Sequence, residues 1–529
     1  MGAPDSPNPA PRTPGAVTLL VLLGSLALAL FASVATGPTF DEERRVAAAR
    51  HAIDLARAFG QFGPSTMVSS SARGVYDDLA PFGIVPGLVS GWLGEVLRAA
   101  HLLDGLTAAR FGWLLVAGLA PFALFLLVAE SRGPRTGFLA AALLVSMPRF
   151  SHALGAAREP AIVTSAWLLV LAAYRWSLPP SFAARRAGLR RRHRLAALLF
   201  SVAVAFGMAV DLATLWILPV VVGHYAATHR RLVRPALRRG RVPLPSGFVW
   251  LLVLTPALIG LFVPSLWRGG AVSGAEWLFS PLTPTIEPLL YGAPVVAYKD
   301  VPSSYAVHWL LVTTPLSTLL LFVAGVVVAA RDALRVRRGD ARRDPAALVG
   351  LCLFMVVAVS VGPALAPRVL TRFPPRLEAA LPFVAVLAAL ALDRAATRLI
   401  RDARAAGRAL ILAGLAAAAF GLRELPTAAA SFNLLAGGTK GAVRAKVFTI
   451  GDGSEVAPLA KAIDALHLGG IAPPSGDVSR AYWTLLSQTG RLATPVGSGV
   501  ALTATRGERT NAVATVVRDG VVLWSLTRR

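Results

Sequence analysis

The strongest constraint on this chain is a series of apolar runs near membrane-crossing length, separated by short basic loops. Such runs lie at 15–36, 108–129, 136–149, 159–176, 195–209, 212–227, 248–266, 308–330, 346–366, 377–393 and 409–425. A helix of about 20 residues rises roughly 30 Å, the thickness of a bilayer's hydrocarbon core. Three of the eleven, 136–149, 195–209 and 212–227, are short for a span. Only 15% of the 529 residues are charged, against about 25% in an average soluble domain. An ordinary soluble enzyme is therefore excluded, and so is a disordered chain. Cys352 is the sole cysteine, which rules out an intrachain disulfide and zinc or redox cysteine motifs.

Orientation follows from the basic residues. The loops at 130–136, 175–194, 228–247, 331–345 and 393–408 hold 26 of the 53 Lys and Arg, against six acids. All five are expected on the cytoplasmic side, so most of the +25 net charge reports topology and does not call for a nucleic-acid partner. Residues 195–227 lie between two of these loops and must cross twice or not at all, which suits two short helices hinged near Gly207 and Asp211. The apolar stretch 84–100 carries Glu95 and Arg98 and would reverse the parity if it crossed. It is placed instead as a juxtamembrane helix in the outer interface. The first run, with Ser33-Val34-Ala35 at its end, also admits a cleavable secretory signal, but it is span-length and has only Arg12 before it.

The expected organisation is an all-α polytopic membrane protein of about eleven transmembrane helices. A cytoplasmic tail occupies 1–14, the multi-span domain 15–425 with an external loop at 37–107, and a small extracytoplasmic α+β domain 426–529. In that last part VFTI (447–450), AVATVV (512–517) and VVLWSL (521–526) read as strands and 455–467 as a helix.

Polar groups on the outer face are where chemistry can sit. Asp41, Glu42, Glu43, Arg44 and Arg45 follow the first span almost at once. The three acids also suit the start of a helix, where they complement its dipole. Glu159, followed by Pro160, opens the fourth run and carries the same two readings. Two carboxylates held at bilayer depth on consecutive outer loops favour function, because a carboxylate there is costly unless it faces protein or water. The third long outer loop offers Arg268, Lys299 and Tyr305, with His308 opening the next span. Arg368, Arg372 and Arg376 stand in the fourth, against the positive-inside bias, and suit lipid headgroups or a phosphate. Asp77-Asp78 is too weak a pair to argue for a metal. No P-loop, GxGxxG, HExxH, GxSxG or CxxC motif occurs.

Four segments together resemble the lipid-carrier-dependent membrane glycosyltransferases of the GT-C superfamily, in particular bacterial protein O-mannosyltransferases and the lipid A aminoarabinose transferases. Phe40-Asp41-Glu42-Glu43-Arg44 is similar to the family's Asp-Glu motif after the first span. The run from Pro148 to Pro160 resembles its second-loop acidic motif. Residues 291–316 are similar to its glycine, Val-Pro, Tyr and Thr-Pro-Leu segment. Residues 372–390 and then 431–442 resemble its late Arg-Pro span and its Asn/Gly-Gly motif. The chain departs from the family in having Glu159 where aspartate is usual, Leu79-Ala80-Pro81-Phe82 in place of a His/Lys-Pro-Pro-Leu motif, and no lysine in 207–214.

The resemblance implies a polyprenyl-phosphate sugar donor and a hydroxyl acceptor on protein, lipid or glycan, at the outer face of a bacterial inner membrane. It implies Asp41 as general base and Glu159 as holder of sugar hydroxyls or acceptor. Arg376 and Arg372, backed by Arg268, Lys299 and Arg44, would meet the leaving phosphate; Glu42, Tyr305 and His308 would line the substrate cavity. No cofactor or catalytic metal is required by that scheme. A polyprenyl-lipid flippase using Asp211, or a non-catalytic scaffold presenting residues 426–529, are the competing readings.

Overall fold

The computed structural model describes, in the main, residues 15–39, 42–63, 70–79, 84–178, 187–210, 212–228, 246–263, 304–337, 343–365, 374–425, 427–445 and most of 456–528. Every one of the eleven apolar runs carries helix. In chain order these are α1 (Gly15–Ala35), the loop helices α2 (Glu42–Phe62) and α3 (Ser70–Leu79), and the segment α4 (Ile84–Val89) to α5 (Glu95–Ala99). There follow α6 (Gly105–Arg132), α7 (Pro134–Val145), α8 (Pro148–Gly155), α9 (Glu159–Ser177), α10 (Ala187–Val210), α11 (Ile217–Thr228) and α12 (Ser246–Phe262). Then come α13 (Tyr305–Thr313), α14 (Leu316–Arg337), α15 (Arg343–Leu365), α16 (Leu381–Leu399) and α17 (Ala403–Arg423). Among the described residues, four helices are long and apolar enough to cross a membrane singly, and six if two bent pairs are each one span.

Those bent pairs change the outline expected from hydropathy. The run 136–149 stops being straight at Val145 and turns by 81° into α8, and the run 308–330 turns by 118° between α13 and α14. Both second helices follow a proline, Pro148 at the first position of α8 and Pro315 just before α14. Proline removes the N–H that would continue the ladder and disfavours helical backbone in the residue before it. The run 377–393 likewise begins as a 3₁₀ turn, Pro374–Ala380, before α16.

Helix α6 packs against α1, α7 and α9, and α16 against α7 and α14. Residues Leu381–Ala391 of α16 are buried on every side, the mark of a helix enclosed by others. By contrast α1 leaves Leu19, Leu20, Leu23 and Phe31 exposed, and α17 leaves Leu412, Leu415 and Phe420 exposed, as suits helices facing lipid. Close approach depends on small residues: a Cβ on Gly325 of α14 would collide with the Leu387 carbonyl of α16.

Polar contacts separate the two ends of the bundle. At one end three of the basic loops meet, Arg135 Nη1 donating to Ala403 O at 2.9 Å and Arg175 Nη2 to Ser131 Oγ at 2.7 Å. At the other end sits the last domain. Its sheet has the order β3-β4-β6-β5, from Ser475–Gly476, Leu502–Arg506, Val521–Arg528 and Ala512–Arg518, numbered β3, β4, β6 and β5 after a two-strand pair β1–β2 (Leu289–Leu290, Val295–Val296). The helices α19 (Ala457–Ala465) and α20 (Arg480–Gln488), which follow a short α18 (Gly438–Ala445), cover it with Leu459, Ile463, Trp483 and Leu486 against Leu502, Trp524 and Leu526. Two expected strands and the helix are present, β3 and β4 are additions, and 447–450 lies outside the described residues.

Candidate active site

The site is built where α1 ends. A helix leaves its last carbonyls without intrahelical partners, and here they are buried. Arg110, in the second turn of α6, meets them with a side chain only 1% exposed. Its Nη1 donates to Thr36 O at 3.1 Å, Ser33 O at 3.4 Å and Gly155 O at 3.3 Å, and its Nη2 to Gly37 O at 2.8 Å. The same guanidinium holds Glu42 in a fork, Nε to Oε1 at 2.5 Å and Nη2 to Oε2 at 2.6 Å. Glu42 Oε2 also accepts from the Thr39 N–H at 3.0 Å, while Glu42 N–H donates to Thr39 O at 3.1 Å. These two bonds hold Glu42 to Thr39 across three residues, and so fix the first residue of α2.

Arg45, one turn further along α2, reaches the link between α8 and α9. Its Nη1 donates to Ala157 O at 2.5 Å and Ala156 O at 3.2 Å, and its guanidinium lies 5.9 Å from the Trp113 ring centroid. Ala157 has φ 49°, a left-handed value costing a non-glycine residue roughly 1–2 kcal/mol; Arg45 braces that turn. Two residues later the exposed Glu159 opens α9. Arg110 and Arg45 thus join the first acidic motif to the second.

The last domain enters through Arg491. Its Nη1 donates to Thr36 O at 2.6 Å and its Nη2 to Ser33 O at 3.0 Å, while Nε meets Asp104 Oδ1 at 3.1 Å. Asp104 simultaneously caps α6 through the N–H groups of Leu106 at 3.0 Å and Thr107 at 3.1 Å. Burial alone would raise the Asp104 carboxyl, but the charge of Arg491 and the hydrogen bonds from Arg491 and Thr107 outweigh it and hold the group below its ordinary value.

The later motifs converge beside this cluster. Asn433 Nδ2 donates to Leu311 O at 2.6 Å and Thr314 O at 2.7 Å, and its N–H to Val312 O at 2.9 Å. Those carbonyls end α13 at the proline break, so Asn433 supplies the donors that Pro315 interrupts. Arg149, beside the start of α8, stands 4.8 Å from the Phe432 ring centroid and 5.9 Å from that of Trp309. His308, half-buried, is on the same helix as Trp309. The 3₁₀ turn Pro374–Ala380 packs on α9, α13 and α15.

The other expected site residues divide as follows. Asp41, Arg268, Lys299 and Arg372 lie outside the described residues, as does Asp211; Arg44, Tyr305 and Arg376 are described in backbone only. Glu42, expected to face substrate, is fully buried with both oxygens taken within the protein. Among the described residues no group of three or more His, Cys, Asp or Glu is placed to hold a metal. Sequence reasoning missed Arg110, Asp104 and Arg491, while Arg45 and Asn433 stood inside the motifs it singled out without a role of their own. Arg110 had a signal: an arginine inside an apolar run is costly and marks a partnered or functional position.

A bundle of apolar helices with buried ion pairs and a small α+β domain gathered at one end is a multi-pass membrane protein. No protein-family model matches the chain, and no curated protein matches its sequence. Among solved structures it is similar to ArnT from Cupriavidus metallidurans bound to undecaprenyl phosphate, over 97% of this chain and 98% of that one, at 13% identity and a TM-score of 0.43. It is similar also to the apo state of that protein, over 96% of this chain and 97% of that one, at 13% identity and a TM-score of 0.47.

Proposed function

We propose that this chain is an inverting glycosyltransferase that moves a sugar from a polyprenyl-phosphate donor to a hydroxyl on the outer face of a bacterial plasma membrane. The observation that carries the reading is the joining of the segments that resemble the GT-C motifs. Arg110 and Arg45 tie residues 33–45 to residues 155–157, and Arg149 and Asn433 tie 148–152 and 431–438 to the helix Tyr305–Thr313.

In this scheme Asp41 accepts the acceptor's hydroxyl proton as that oxygen attacks the anomeric carbon. The new C–O bond forms as the bond from that carbon to the phosphate oxygen breaks, and configuration inverts. The electron pair leaves on the lipid phosphate, whose growing charge is met by Arg376 and Arg372, with Arg268, Lys299 and Arg44 behind them. Glu159 orients sugar or acceptor hydroxyls, and Tyr305 and His308 line the donor cavity. Glu42 acts one step removed: clamped by Arg110, it fixes the start of the helix beside Asp41. A lipid-borne donor explains why the sequence carries no nucleotide-binding motif. The scheme itself requires no metal.

The test is transfer of labelled sugar from polyprenyl-phosphate sugar in membranes holding Asp41→Asn. A loss of about 10²-fold or more is expected for a general base, and undiminished transfer refutes the proposal.

A further inference from the structure

A second polar cleft lies between α2, the α4–α5 segment, the first turn of α6 and the last domain. It has a volume of about 400 Å³ and is lined by Arg50, Asp54 and Arg57 of α2, Glu95 and Arg98 of α5, and Gln488 of α20, with Gly105 and Ala108 of α6 as its floor. Its height is set by α6: the floor residues are the first turn of a 28-residue apolar helix. At 1.5 Å per residue, they stand within roughly 5 Å of the point where that helix begins. A cleft at the end of an apolar, span-length helix is where headgroups would meet a helix that crosses a bilayer.

The charge of the cleft is unbalanced. Three guanidiniums face two carboxylates. Arg98 is committed to Glu95, with Nε to Oε2 at 2.7 Å and Nη2 to Oε1 at 2.5 Å. Arg57 makes only a loose pair with Asp54 at 3.5 Å, both side chains being largely exposed. Arg50 donates to the neutral Gln488 Oε1 at 3.0 Å, and among the described residues no carboxylate pairs with it. One positive charge is left over, as a single phosphodiester would require.

The rim is apolar in the right place. Phe59 and Phe62 of α2, Trp92, Leu93 and Val96 of the α4–α5 segment, and Leu102 just after it are exposed on the elements that line the cleft, though outside the lining itself. The Phe59 and Trp92 rings stack at 6.3 Å, and Trp92 is anchored by Nε1 donating to Ala52 O at 2.9 Å. The segment that carries Trp92, Leu93 and Val96 is pressed onto the first turns of α6, where Ser90 Oγ accepts the Gly112 N–H at 2.8 Å. Large apolar side chains at that depth are placed to lie among acyl chains.

We infer that this cleft is a binding site for one anionic glycerophospholipid, its phosphodiester held by Arg50 and Arg57 and its acyl chains laid along Phe59, Trp92 and Val96. Because Gln488 and Thr489 of the last domain form one wall, the lipid joins that domain to α2. The site is separate from the glycosyl-transfer reading and stands or falls without it.

The test uses the full-length protein in detergent, titrated with phosphatidylglycerol or phosphatidylcholine and read by native mass spectrometry and thermal melting. Phosphatidylglycerol is expected to bind one per protein and raise the melting temperature more than phosphatidylcholine. In the Arg50→Gln/Arg57→Gln double variant its affinity should fall roughly tenfold, while Arg509→Gln, an exposed arginine elsewhere, binds as the wild type does. Equal binding of the two lipids, wild-type affinity in the double variant, or full displacement of the lipid by millimolar inorganic phosphate would each overturn the inference.

Discussion

Arg110 and Arg491 donate to the same two carbonyl oxygens, those of Ser33 and Thr36 at the end of the first helix. One comes from inside the bundle and the other from the last domain. Each brings its own carboxylate, Glu42 for Arg110 and Asp104 for Arg491. The end of α1 is therefore the point at which the first loop, the second loop and the last domain are fixed to one another. Its carbonyl-rich, negative dipole end is a natural seat for two cations.

Loss of Arg110 should cost more than loss of the whole pair. Arg110→Met strands the Glu42 carboxylate in a fully buried site, at about 3–5 kcal/mol. The double variant Arg110→Met/Glu42→Gln removes the stranded charge and should recover a large part of that. Melting of the purified proteins in detergent measures both. If the double variant melts no higher than the single one, the pair is not the source of the stability.

Asp104 predicts a dependence on acid. Its carboxyl is held below the ordinary 3.8, so its contribution is fully present above about pH 4 and is lost as pH falls through the folded-state value. The difference in melting temperature between wild type and Asp104→Asn should be constant from neutral pH down to that region and then shrink toward zero. The pair is partly exposed, so a contribution of about 1 kcal/mol or less is expected.

Asn433 separates donor from acceptor roles. Asn433→Ala removes two donors from the carbonyls of Leu311 and Thr314, costing about 1–3 kcal/mol if those groups stay buried. Asn433→Asp is nearly isosteric but turns an acceptor toward two carbonyls, and should be the more damaging. Limited proteolysis around 313–316 and thermal melting would rank them; the opposite order would show that the side chain acts mainly through Oδ1, which accepts the Leu435 N–H at 2.9 Å.

Gly325→Val should separate α14 from α16. With the Leu387 carbonyl in the way of any Cβ, overpacking of about 1–3 kcal/mol is expected. Val at Gly24, where nothing lies within 4 Å, should leave the melting temperature within a degree or so of wild type, since surface changes typically stay within ±0.5 kcal/mol.

The helices were legible in the sequence because a span is a local property. Run length and charge content place α1, α6 and α9 to within three residues and α17 to within six, and alternation places Ala512–Arg518 and Val521–Arg528. The breaks at Pro148 and Pro315 carried a visible signal, yet hydropathy passes through a proline as readily as through any other residue of its kind. The angle of 118° at the second break is set by what receives the freed carbonyls, and that is Asn433, more than a hundred residues away.

The sequence by itself determined that the chain is a bundle of apolar helices with its basic loops at one end, because partition into a bilayer is a sum over neighbouring residues. It also marked the acidic segment at 41–43 as a place of interest. Only the tertiary structure decided that Glu42 is committed to Arg110, and that Asp104 waits for an arginine 387 residues further along the chain. A buried charge is defined by its partner, and partners are chosen by packing, which no local pattern records.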